Sequence, residues 1–204
     1  MQNFIKRVRE YYKKHYDLND EAHRIDHADS VCEEALFIID TLKLNINKRM
    51  VVVAAYTHDI FCSVNRKTHN VLASKYVLNE KDDEILNEFS KGQRLSMAEA
   101  VLQHRSSYKG ERSSILSRII ATADMGRVNI KYIILRSYKY HSSNGKSDIE
   151  IVDEIYEHLQ DKFSSNGYRK YDDFYMSVYG DIVNDFKKEV DEITKEDIIK
   201  VIEE

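Results

Sequence analysis

The stretch "RMVVVAAYTHDI", residues 49–60, decides the fold of this chain. Its apolar residues follow one another without the strict alternation of a half-buried strand, so it reads as a helix that is apolar almost all round. Such a helix belongs at the centre of a bundle. Its end is unusual, because His58 and Asp59 stand side by side where the apolar run closes. A carboxylate buried there costs several kcal/mol unless it is paired, hydrogen-bonded or bound to a metal.

The neighbouring segments carry helical stripes. Ala28, Val31, Ala35, Ile38 and Leu42 recur at steps of three and four. "THNVLASKYVL" puts His69, Leu72, Ala73, Tyr76 and Val77 on one side, and "MAEAVLQH" aligns Met97, Ala100, Val101 and His104. "SSILSRIIATADMGR" aligns Leu116, Ile120, Ala123 and Asp124. Further on, "SDIEIVDEIYEHLQDKF" gives Ile149, Val152, Ile155, Tyr156, Leu159 and Phe163, with Ser147 as its N-cap. "YDDFYMSVYGDIVNDF" and "TKEDIIKVIEE" follow as helices, the second capped by Thr194. Residues 141–147 and 164–168, rich in Ser, Asn and Gly, read as loops.

Composition agrees. The chain has no proline and six glycines in 204 residues, which leaves little of the vocabulary of hairpins and βαβ turns. The predicted fold class is therefore all-α, one domain over residues 1–204, with a core at about 20–130 and C-terminal helices from about 147 to 204 packing on it. A net charge of −4 gives no pull toward nucleic acid or an anionic membrane. No apolar run is long enough to span a bilayer, and "MQNFIKRVREYYKKHY" has no uninterrupted apolar core of a signal peptide. The expectation is a cytoplasmic protein, with Cys32 and Cys62 as reduced core thiols.

Polar residues on the apolar stripes locate the chemistry. His27 shares a face with Val31, His58 and Asp59 end the most apolar helix, and His69, His104 and Asp124 each continue the stripe of a different helix. Five helices thus offer imidazole or carboxylate to one interior, the donor set of hard-to-borderline divalent metals. Taken singly, His69 reads more readily as a core histidine than as a ligand, and Asp124 equally as a buried cap or an arginine partner. Jointly they read as a metal site. His15, His141 and His158 read as surface residues, and His23 as a helix-start histidine or a substrate contact.

"DHADSVCEEA", "VVVAAYTHDIF" and "SRIIATADMGR" resemble the first-histidine, His-Asp and last-aspartate helices of the HD-domain metal-dependent phosphohydrolases, an all-α family. The resemblance covers roughly residues 20 to 130. "KTHNVLASKYVL" and "AVLQHRSS" are similar to the additional-histidine segments of its two-metal members, such as symmetrical dinucleoside-tetraphosphate hydrolases. The resemblance implies one metal at His27, His58, Asp59 and Asp124, with Asp59 bridging to a second held by His69 and His104. Two features depart from the pattern: "HDIFCSVNRK" has no lysine shortly after the His-Asp pair, and the GYP-type motif of cyclic-dinucleotide enzymes is absent.

The expected function is hydrolysis of a nucleotide or small phosphate ester or anhydride by a metal-activated hydroxide, with His58 and Asp59 as the catalytic pair. The cofactor is one or two divalent transition ions (Mn, Fe, Co, Ni or Zn). Arg66, Arg105, Lys109, Arg112 and Arg127 sit beside ligand positions as candidate phosphate contacts, and Tyr108 as a candidate for stacking on a base. "HRSSYKGER" is the candidate substrate loop. Alternatives are a single-metal pyrophosphohydrolase or 5′-nucleotidase, and a binding module that keeps the metal as a structural staple. The C-terminal helices from about 147 are candidates to cap the site or to form a homodimer contact.

Overall fold

The computed structural model describes residues 1–19, 24–142 and 146–204. His23 lies outside them, as do residues 143–145 of the polar stretch 141–147, whose His141 and Ser142 form the end of a helix. Among the described residues the chain is all-α, with ten α-helices and no strand. None of these helices is long and apolar enough to cross a membrane.

The chain divides into two compact units, Met1–Gly126 and Arg127–Glu204. The division falls at the end of a helix rather than at the polar stretch 141–147. The first unit contains α1 (Gln2–Tyr16), α2 (Ile25–Thr41), α3 (Lys48–Thr57), α4 (His69–Asn79), α5 (Lys91–Gln103) and α6 (Ile115–Met125). As the apolar run of α3 requires, every residue from Val51 to Thr57 is buried. Helices α1, α2, α5 and α6 pack around it, and α4 lies along α5. Helix α1 contributes Val8, Tyr12 and Tyr16, all fully buried.

The polar ends of these buried side chains are satisfied. The Tyr12 and Tyr76 hydroxyls both donate to Asp83 Oδ2, at 2.9 and 2.8 Å, and the Leu86 amide donates to its Oδ1. The Tyr56 hydroxyl donates to Asp29, which also receives Arg9. His15 is half-buried among Tyr12, Phe61 and Tyr76, rather than on the surface, and burial holds its pKa below the usual value.

The second unit contains α7 (Ile130–Ser142), α8 (Asp148–Phe163), α9 (Asp173–Glu192) and α10 (Lys195–Glu203). Its core gathers Ile134, Ile151, Ile155, Leu159, Val190 and Ile198. Ser147 and Thr194 cap α8 and α10 as their sequences indicate, each in a reciprocal box with Glu150 and Asp197. The stripe of α8 is shifted at its start: Ile151 is buried and Ile149 is 78% exposed, because the first turn projects beyond the packed face. His141 meets Glu154 at 2.8 Å, and His158 is exposed.

Candidate metal centre

Helix ends build the site. His58 and His104 follow the last residues of α3 and α5, where the final carbonyls have no helical amide to accept from. Each histidine supplies the missing donor. His58 Nδ1 meets Ala55 O at 2.7 Å and His104 Nδ1 meets Val101 O at 2.7 Å. His69, the first residue of α4, repeats the device on Arg66 O at 2.9 Å. A carbonyl only accepts, so in the neutral form of each ring the proton sits on Nδ1 and the Nε2 lone pair turns inward.

Those lone pairs face one another. His69 Nε2 lies 3.2 Å from His104 Nε2, and His58 Nε2 lies 3.3 Å from His27 Nε2. Asp59 stands between the two pairs. Its Oδ2 is 3.4 Å from His58 and 3.7 Å from His27, while its Oδ1 is 3.0 Å from His69 and 3.4 Å from His104. Oδ1 is buried and has no partner in hydrogen-bond geometry. Asp124 Oδ1 completes the first group, 3.1 Å from His27 and 3.6 Å from His58.

These separations match a coordination shell. Ligand atoms held at about 2.0–2.1 Å from one cation stand roughly 2.9–3.4 Å apart, depending on geometry. One proton bridges one facing pair, whereas a cation satisfies every converging lone pair at once. The donor set therefore fits a divalent metal, and Asp59, with one oxygen toward each group, fits two.

The electrostatics point the same way. Burial opposes charge on Asp59, but the His58 charge and contacts from His104, His58 and His69 outweigh it and hold the carboxyl well below its usual range. Asp124 is likewise depressed, burial being outweighed by His27 and His58. His58 is raised in spite of its burial, by Asp59 and Asp124.

Two residues that no periodic pattern marks also shape the centre. Asn19, just past α1, donates from Nδ2 to Asp59 O (3.1 Å) and accepts from the Ser63 amide (2.8 Å). It clasps the turn carrying Asp59. Cys62 lies in that turn, its amide on Asp59 O, and its sulfur is within 4.8 Å of ligand atoms of Asp59 and His69.

A cavity of about 240 Å³ opens over the centre, lined by Asp59, His69, His104, Asp124, Arg66, Arg105, Ser106 and Ser107. Of the candidate phosphate contacts, the structure brings Arg66 and Arg105 here, with Arg105 Nη1 fixed on Lys67 O at 2.6 Å. Lys109 and Arg112 are not among the lining residues. Tyr108 turns toward Gly110 instead, where an added Cβ would lie 2.7 Å from its hydroxyl. The loop is closed by Gln103, buried and doubly bonded to Ser113. Arg127 begins the second unit, its guanidinium 6.0 Å from the Tyr179 ring centre. Comparison with family models, curated proteins and solved structures finds no match to the chain.

Proposed function

We propose that the chain is a metal-dependent phosphohydrolase acting on a nucleotide or another small phosphate ester or anhydride. In this reading one divalent ion sits among His27, His58, Asp59 and Asp124, and a second among Asp59, His69 and His104. The observation that carries it is the divided Asp59 carboxylate, each oxygen facing its own pair of inward imidazole lone pairs. The ordered set resembling the HD-domain phosphohydrolases supports the same reading. Mixed nitrogen and oxygen donors suit Mn, Fe, Co, Ni or Zn.

Ions held there supply Lewis-acid charge and a nucleophile drawn from water at neutral pH. The chain's own residues supply the rest. Arg66 and Arg105 add positive charge to the lining of the cavity, which a phosphoryl group's equatorial oxygens need. Ser106 and Ser107 offer hydroxyl donors beside them. A volume of about 240 Å³ lies below the roughly 300–1,000 Å³ of pockets that enclose drug-sized ligands. It suits the phosphoryl group itself, with the leaving group reaching outward.

The test is one panel. Metal-reconstituted protein is offered nucleoside mono-, di- and triphosphates, dinucleoside polyphosphates and cyclic nucleotides. Release of phosphate or pyrophosphate from at least one of them, lost with chelator and restored by Mn, Co or Fe, is expected. Metal-loaded protein inert toward every member would remove the reading.

A further inference from the structure

We infer that Cys62 is a further ligand of this centre, binding the inner of the two ions as a thiolate beside Asp59 Oδ1, His69 and His104. The inference rests on the metal reading above and adds to it a soft donor that neither the apolar stripes nor the histidine pattern contains.

Among the described residues, the ligands assigned to the inner ion without it are one carboxylate oxygen and two imidazoles. Asp59 Oδ1 is buried without a hydrogen-bond partner and points into this position. Among the described residues Cys62 is a further metal-binding side chain near it. Its sulfur and the ligand atoms of Asp59 and His69 lie within 4.8 Å of one another. With metal–sulfur bonds of about 2.3 Å and metal–nitrogen bonds of about 2.0–2.1 Å, adjacent S and N ligands stand roughly 3.6 Å apart and opposite ones roughly 4.4 Å. The spread of Cys62, Asp59 and His69, at most 4.8 Å, is within about 1 Å of these ligand separations.

The backbone favours that position. The Cys62 amide donates to Asp59 O, and Asn19 holds the same turn from both ends through Asp59 O and the Ser63 amide. The sulfur is thus presented by a clasped turn. Cys32 provides the contrast. It lies in α2 among apolar residues, and burial, with Asp29 and Glu33 adding, pushes its thiol up to about 12. It belongs to none of the ligand groups.

A thiolate changes which ion the inner position selects. Soft sulfur favours zinc, cobalt and iron over manganese more strongly than the imidazoles and carboxylates of the outer group do. Two unlike ions in one centre is the consequence.

Cobalt(II) loading of the full chain tests this without reference to turnover. Expected is a near-ultraviolet sulfur-to-cobalt charge-transfer band in the parent protein. It should persist in Cys32→Ser and vanish in both Cys62→Ser and Cys62→Ala. Zinc affinity at the inner position should fall by at least the ~10–100-fold that loss of an outer-shell partner costs, with manganese affinity unchanged. Bound cobalt without the band in the parent protein, or a band that survives Cys62→Ser, overturns the inference and leaves the metal reading standing. Failure of the chain to bind cobalt at all overturns both.

Discussion

Replacing Asp59 by asparagine preserves its shape but puts an amide N–H₂ where one oxygen faces imidazole lone pairs. The variant should lose bound metal and at least about a hundredfold in kcat, read by elemental analysis and by turnover in the same sample. His104 separates one ion from two. If His69 and His104 hold the inner ion, His104→Ala lowers the metal content from about two per chain toward one and cuts kcat severely. If they are core histidines, stoichiometry is unchanged in both His69→Ala and His104→Ala and the cost is stability alone, about 1–3 kcal/mol. His15 makes a different prediction. Its pKa is depressed in the folded chain, so the unfolded chain takes up the proton more readily and stability falls as pH drops below about 6.5. His15→Gln should flatten the loss of thermal stability between pH 7 and 5, measured against the parent in the same buffers.

The six candidate ligands were readable because each interrupts an apolar stripe with a group that burial penalises, and such interruptions are visible in one dimension. Asn19 and Cys62 were not. Asn19 acts through a backbone carbonyl forty residues away, and Cys62 resembles any core thiol until the turn around it is formed. Arg66 and Arg105 could not be told from Lys109 and Arg112 by position, since only the path of the loop decides which cation faces the cavity.

Gly126 ends α6 two residues beyond Asp124, with φ +66° and ψ −177°, a region that is nearly glycine-only. No atom outside its chain neighbours lies within 4 Å of an added Cβ, so strain is the whole effect. Gly126→Ala should cost about 1–3 kcal/mol in chemical denaturation. The elements themselves were legible where an apolar stripe met a cap, as in α8 and α10. Ile149 misled because it has the right spacing in a turn that nothing covers. Helices α1 and α7 escaped notice because tyrosines carry much of the packing in the first and charged residues interrupt the second.

At the scale of the molecule, every ligand group belongs to the first unit, and no comparable group occurs among the described residues of the second. Chelation should therefore destabilise the first unit, by about 2.7 kcal/mol for an ion present at a hundred times its dissociation constant, and lower its melting temperature with it. Calorimetry with and without EDTA reads both. The grouping of strands and helices into a class was the easiest inference of all, since a chain without proline and nearly without glycine has few ways to turn. The boundary at Gly126 was harder, because a single residue in an unusual backbone state marks it and no polar linker announces it.

The uneven burial of the centre has a consequence in time. His27 and Asp124 keep 26% and 23% of their side-chain surface open to water, whereas His69, Asp59 and His104 keep 8%, 5% and 2%. A chelator reaches the outer ion directly, so its departure should quicken in proportion to chelator concentration. The inner ion faces the same cavity but is held by side chains almost wholly covered, so its release should be the slower and should level off at high chelator, at the frequency with which those side chains swing clear. Stopped-flow release would then show two phases, one set by collision and one by the protein's own clock.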